Sequence, residues 1–140
     1  MILVDTSVWI RFLGNRQPHA SELDRLLGLD EVVGHEMVFG ELLVGDVGAR
    51  GKLLAAYAQM HRADTVAHAE VVVFVRSRRL SGRGLGWIDA HLLASAVLQR
   101  HQIWTADVRF AAVASELGIA HRSGASQDQH RAAMRVSANG

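Results

Sequence analysis

Three apolar residues, Ile2-Leu3-Val4, run straight into Asp5, and Thr6-Ser7 follow at once. A run that short suits a buried strand rather than a helix, and a Thr-Ser pair is a helix-start signal. This junction of strand, acid and helix narrows the folds open to the chain. In an open α/β sheet the carboxyl ends of parallel strands form the rim where ligands bind, so Asp5 is expected on that rim. Related placements recur downstream. Val32-Val33 predicts a second strand, with Glu41 on the helix Met37–Val44 that follows. Asp89 falls in the first turn of a helix over Trp87–Arg100, and Ile103-Trp104 predicts a strand whose end leads to Asp107 and a helix over Val108–Leu117.

Between these landmarks the pattern is mainly helical. Thr6 or Ser7 is expected to cap a helix reaching Leu13, and Pro18 marks a turn. Leu23, Leu26 and Leu27 recur at helical spacing, with Gly28 as a C-cap. A further helix is expected near Lys52–His61. Val66–Leu80 is ambiguous: Val71–Val75 favours a strand, but the length of the segment favours a helix, which we adopt. Ser81–Gly86 reads as a loop, and Ile119-Ala120 as a last short strand. Alternation of strands and helices predicts an α/β fold, a parallel sheet with helices on both faces joined by right-handed crossovers. Residues 1–122 form the expected domain, and 123–140 a polar, flexible tail.

Composition excludes several classes of function. Cysteine is absent, which rules out disulfides and zinc–thiolate sites. Apolar runs are too short to span a membrane, the N-terminus lacks a signal-peptide pattern, and a soluble, cytoplasmic protein is expected. A net charge of +1 advertises no global attraction for nucleic acid. Fourteen of the fifteen basic residues are Arg, the better phosphate binder, although a GC-rich genome produces the same bias.

Asp5, Glu41, Asp89 and Asp107 acquire meaning as a set. Each alone has an ordinary reading: Asp5 and Asp107 as helix caps, Asp89 as a partner for a helix dipole, Glu41 as a solvated acid. Brought within roughly 4–6 Å of one another, each pair would repel by several kcal/mol at an effective dielectric near 20. Sharing a proton relieves that repulsion, and a divalent cation relieves it better. An all-oxygen donor set suits Mg²⁺ or Mn²⁺, and the chemistry that follows is phosphodiester hydrolysis.

At these residues the chain resembles the PIN-domain ribonucleases, most closely the VapC-type toxins of bacterial toxin–antitoxin pairs. Val4-Asp-Thr-Ser-Val-Trp9 matches the opening motif of that family. Glu41-Leu-Leu-Val-Gly45 is similar to the second, Asp89-Ala-His-Leu-Leu-Ala-Ser-Ala96 to the third and Trp104-Thr-Ala-Asp107 to the fourth. The order and approximate spacing agree from residue 1 to about 121. The resemblance implies a Mg²⁺- or Mn²⁺-dependent endoribonuclease, a homodimer, an RNA substrate of the tRNA or rRNA class, and a cognate VapB-type antitoxin reaching the acidic pocket. It carries Asp5, Glu41, Asp89 and Asp107 over as metal ligands, with Thr6, Ser7 and Thr105 as supporting polar groups. Arg109 stands where many members have a further acid, which either weakens a second metal site or offers a contact to RNA phosphate.

Other residues allow blander readings. Arg76, Arg78, Arg79 and Arg83 form the densest basic cluster, an RNA-backbone grip or a solvated face. The eight histidines show no ligand spacing and are expected in surface or packing roles, as Trp9 and Trp87 are in core or dimer contacts. Two other functions stay open at this point. A non-catalytic RNA- or antitoxin-binding module would retain the fold without the chemistry. A phosphatase or phosphotransfer domain would use Asp5 as nucleophile, but the second Asp expected two residues later is missing.

Overall fold

The computed structural model describes residues 1–122, so the expected tail at 123–140 lies outside the described residues. Three short parallel strands form the sheet in the order β2-β1-β3: β1 is Ile2–Val4, β2 Val32–Val33 and β3 Gln102–Trp104. Leu3 pairs with Val33 on one side and Ile103 on the other, so β1 is central. Single parallel bridges, Gly34 with Arg62 and Ile103 with Ala120, extend the pairing at each edge. The strand expected at Ile119-Ala120 is therefore one bridge, anchored where the Ile103 amide donates to the Ile119 carbonyl and the His121 amide to that of Ile103.

Seven helices connect and cover the strands: α1 Thr6–Leu13, α2 His19–Gly28, α3 Glu36–Val44, α4 Gly51–Gln59, α5 His68–Ser77, α6 Trp87–Gln99 and α7 Val108–Glu116. From β1 the chain crosses to one neighbour, then from β2 back past β1 to the other. Right-handed crossovers running in opposite directions place their helices on opposite faces of the sheet. The crevice between β1 and β3 is where the strand order reverses, the usual ligand position in such sheets. Asp5 and Thr105 follow those two strands.

The ambiguous segment at 66–80 is helical for a packing reason. Val71, Phe74 and Val75 recur at helical spacing and meet Ala90 and Ala94, one turn apart on α6. Small residues there admit the valine side chains closely, and Val73 faces solvent. Two cap expectations change. Gly28 lies inside α2, whose C-cap is Leu29. Thr6 and Ser7 lie inside α1, with Asp5 at the N-cap position. Trp9 is buried at the centre, edge-on to both Phe12 and Tyr57. Trp87, by contrast, is 43% exposed and packs against the His68 and His91 rings.

Leu93 on α6 is fully buried in the main core, whereas Val73 is 65% exposed. Leu93→Ala is expected to cost about 2–5 kcal/mol in urea unfolding, and Val73→Ala to stay within about 0.5 kcal/mol of the parent.

Candidate active site

Asp5 is set by the backbone on both sides: its amide donates to the Trp104 carbonyl, and its carbonyl receives the Val8 amide at the start of α1. It occupies the N-cap position, yet its side chain makes no cap bond. The carboxylate instead accepts from two hydroxyls, Ser7 Oγ at 2.7 Å and Thr105 Oγ1 at 2.8 Å, both on Oδ2. Ser7 Oγ also receives the Ala106 amide, tying the end of β3 to the start of α1. Asp5 is only 6% exposed, and a buried carboxylate is tolerated when hydrogen bonds replace its water. The capping explanation for Asp5 therefore fails.

Glu41 lies five residues beyond the start of α3, and its Oε1 accepts from Thr6 Oγ1 at 2.7 Å. Thr6 thus joins α1 to α3 through one hydroxyl. The other two acids do keep an ordinary role. Asp107 caps α7 by accepting from the Arg109 and Phe110 amides. Asp89 reaches back to the Gly86 amide at 2.9 Å, at the N-terminus of α6. Capping excludes neither residue from chemistry, since each carboxylate has lone pairs to spare.

Asp89 feels the charge of the other three acids. The Asp89 carboxyl is pushed up to about 6, first by burial and then by the negative charges of Asp5, Asp107 and Glu41; only the Gly86 amide opposes the shift. Among the described residues, no three His, Asp or Glu side chains are drawn together tightly enough to chelate an ion as they stand. Each acid is instead held by the local donor just described. The donor set still suits a hard cation: it is all oxygen, and its negative charges raise one member's proton affinity.

The basic residues divide. Arg83 makes a two-pronged surface ion pair with Glu116, at 2.7 and 3.0 Å. Arg78 lies over the Phe74 ring, while Arg76 and Arg79 are exposed. Arg109 packs its stem against Gly84, where a Cβ would fall 2.6 Å from Arg109 Cδ. Gly84 also has φ +80°, a conformation costly for other residues. The glycine loop before α6 is thereby shaped to receive Arg109, close in sequence to Asp89.

Sequence reasoning missed His35. It is fully buried at the end of β2, with Nδ1 accepting from the Met37 amide and Nε2 3.1 Å from Ser95 Oγ. The available signal was its position: it stands two residues after β2 and just before α3, much as Asp5 stands between β1 and α1.

The PIN domain family matches residues 2–116. The proteins named Ribonuclease VapC32 in two strains of Mycobacterium tuberculosis are each 43% identical to the chain over 121 residues, covering 86% of it and 95% of their own length. The crystal structure of PAE2754 from Pyrobaculum aerophilum superposes with a TM-score of 0.53 over 80% of this chain and 78% of that one; at 18% identity the likeness concerns the fold alone. Among the described residues no helix is long and apolar enough to cross a membrane.

The raised Asp89 carboxyl makes stability depend on pH. Its folded-state value lies above the ordinary 3.8, so the folded chain holds this proton more tightly than the unfolded chain. Stability from this group is complete below about pH 4 and declines as the pH rises through about 6. A fully shielded shift of that size would be worth about 3 kcal/mol, and partial exposure of Asp89 reduces it to about 1 kcal/mol. In EDTA, Asp89→Asn is expected to raise the urea-unfolding free energy by that amount near neutral pH, with no gain near pH 4.

From its motifs, its sheet order and its matched length, the chain belongs to the PIN domain family and, within it, to the VapC type.

Proposed function

We propose that this protein is a metal-dependent endoribonuclease, the toxin of a toxin–antitoxin pair, and that Asp5, Glu41, Asp89 and Asp107 hold a Mg²⁺ or Mn²⁺ ion. The observation that supports the reading most is the Asp5 carboxylate, buried at the end of β1 and held by the Ser7 and Thr105 hydroxyls, with Glu41 held by the neighbouring Thr6. The relatives named as VapC ribonucleases support the substrate class. A cation bound there supplies a water of lowered pKa and neutralises charge on the scissile phosphate.

The remaining roles belong to the chain itself. Ser7 and Thr105 hold the Asp5 carboxylate in one orientation, and Thr6 does the same for Glu41. Because all three hydroxyls donate to carboxylates, they hold the acids in fixed orientations. Asp89, whose carboxyl is pushed up to about 6, would hold the cation as the ionised carboxylate. Arg109, at the start of α7 two residues beyond Asp107, and the exposed Arg76 and Arg79 are positioned as candidates for RNA phosphate contacts. The same reading includes a homodimer, a cognate VapB-type antitoxin and an RNA substrate of the tRNA or rRNA class.

Purified chain free of antitoxin is expected to cut a structured RNA in Mg²⁺ or Mn²⁺ and to stop in EDTA. Asp5→Asn should lower cleavage by at least the roughly 100-fold that loss of an outer-shell partner can cost, while the circular dichroism spectrum stays that of the parent. Undiminished cutting by the variant would sink the mechanism. Cation binding with no cleavage of any RNA would favour a binding module.

A further inference from the structure

Glu41 and Asp89 ride on different helices, and beside Glu41 an open surface groove of about 740 Å³ is lined by Met37, Gly40 and Val44 of α3 and reaches Ile88 of α6. Each acid is held by a donor of its own, Thr6 for Glu41 and the Gly86 amide for Asp89, and the like charges of the two acids oppose each other. Deeper in the fold a polar bond spans the same two elements. His35, the N-cap of α3, lies 3.1 Å from Ser95 Oγ, in the middle of α6. The spacing is symmetrical: Glu41 stands six residues after His35, and Ser95 six residues after Asp89.

The hydrogen-bond directions are determined throughout. Because the Met37 amide donates to Nδ1, that nitrogen carries no proton, and Nε2 must donate to Ser95 Oγ. Ser95 in turn donates to the Asp64 carbonyl at 3.0 Å. The His35 amide donates to Tyr57 Oη at 2.9 Å, which attaches α4 to the same point. Burial holds the ring pKa down, with the neighbouring His91 adding to the effect and Glu36 opposing it, as this neutral tautomer requires. His35 and Ser95 are both fully buried, so no water replaces either partner.

We infer that His35 and Ser95 are positioning residues: their buried hydrogen bond sets the separation of α3 and α6, and thereby the cation affinity of the site shared by Glu41 and Asp89. The inference rests on the metal-site reading above and assigns neither residue contact with substrate or ion. If the bond is lost, the two helices are free to spread under the repulsion of the two acids. A cation must then draw them together again, so affinity falls while the chemistry at saturating metal survives.

The test measures Mn²⁺ binding to the full chain by electron paramagnetic resonance of the free ion, together with RNA cleavage as a function of Mn²⁺. Ser95→Ala removes the bond and leaves the Met37 cap and the Tyr57 contact in place. It is expected to weaken Mn²⁺ binding about 10-fold or more, to raise the Mn²⁺ needed for half-maximal cleavage equally, and to recover near-parent cleavage at saturation. His35→Asn keeps an oxygen where Nδ1 lies but is too short to reach Ser95, so it should match Ser95→Ala, and the double variant should be no worse than either. Ser95→Thr, which retains the hydroxyl, should rescue affinity. Variants that lose thermal stability but bind Mn²⁺ like the parent would overturn the clamp and leave the metal site standing. A parent chain that binds no Mn²⁺ would overturn the metal-site reading, and the clamp with it.

Discussion

The pairing of β1 on both sides is the constraint on which the rest of this structure depends. Three residues, Ile2, Leu3 and Val4, are buried; Ile2 and Leu3 pair with β2 and β3 at once, and Val4 with β3. A strand this short has little freedom in register, because a slip of one residue would turn its side chains to the opposite faces. Fixing β1 fixes where the chain leaves the sheet, and so where Asp5 stands. The reversal of strand order beside β1 then opens the crevice in which Asp5 and Thr105 meet.

Around that point the protein handles clustered negative charge with hydroxyls and backbone amides rather than with Arg or Lys. Ser7 and Thr105 serve Asp5, Thr6 serves Glu41, and helix N-termini serve Asp89 and Asp107. A basic partner would neutralise the cluster permanently, whereas neutral donors orient the acids and leave their charge available to a cation. Asp89 shows how incomplete the neutralisation is, since one backbone amide does not offset burial and three negative neighbours.

Much of this was legible in the sequence because it depends on local order along the chain. An acid directly after an apolar run is placed on the rim by the strand itself, which made Asp5 readable; Asp107, three residues beyond Trp104, followed in the same way. Asp89 in a first turn was equally plain. The helix over 68–77 was harder, since five β-prone residues pull the other way, and only Ala90 and Ala94 across the interface decide it. The partners of Arg83 and His35 were not legible. Glu116 lies 33 residues from Arg83, and Ser95 lies 60 from His35, separations that no periodicity reports.

Alone, the sequence determined which residues carry charge, where strands give way to helices, and the order of four motifs that resembles one family. Those properties follow from side-chain chemistry and near-neighbour spacing. Tertiary structure alone decided that Asp5 is held by hydroxyls rather than spent as a cap, that Arg83 pairs with Glu116, and that α3 and α6 are joined through His35 and Ser95. Each of those outcomes needs two distant segments to meet in a buried, low-dielectric interior, where an unmade hydrogen bond is costly and a made one is decisive.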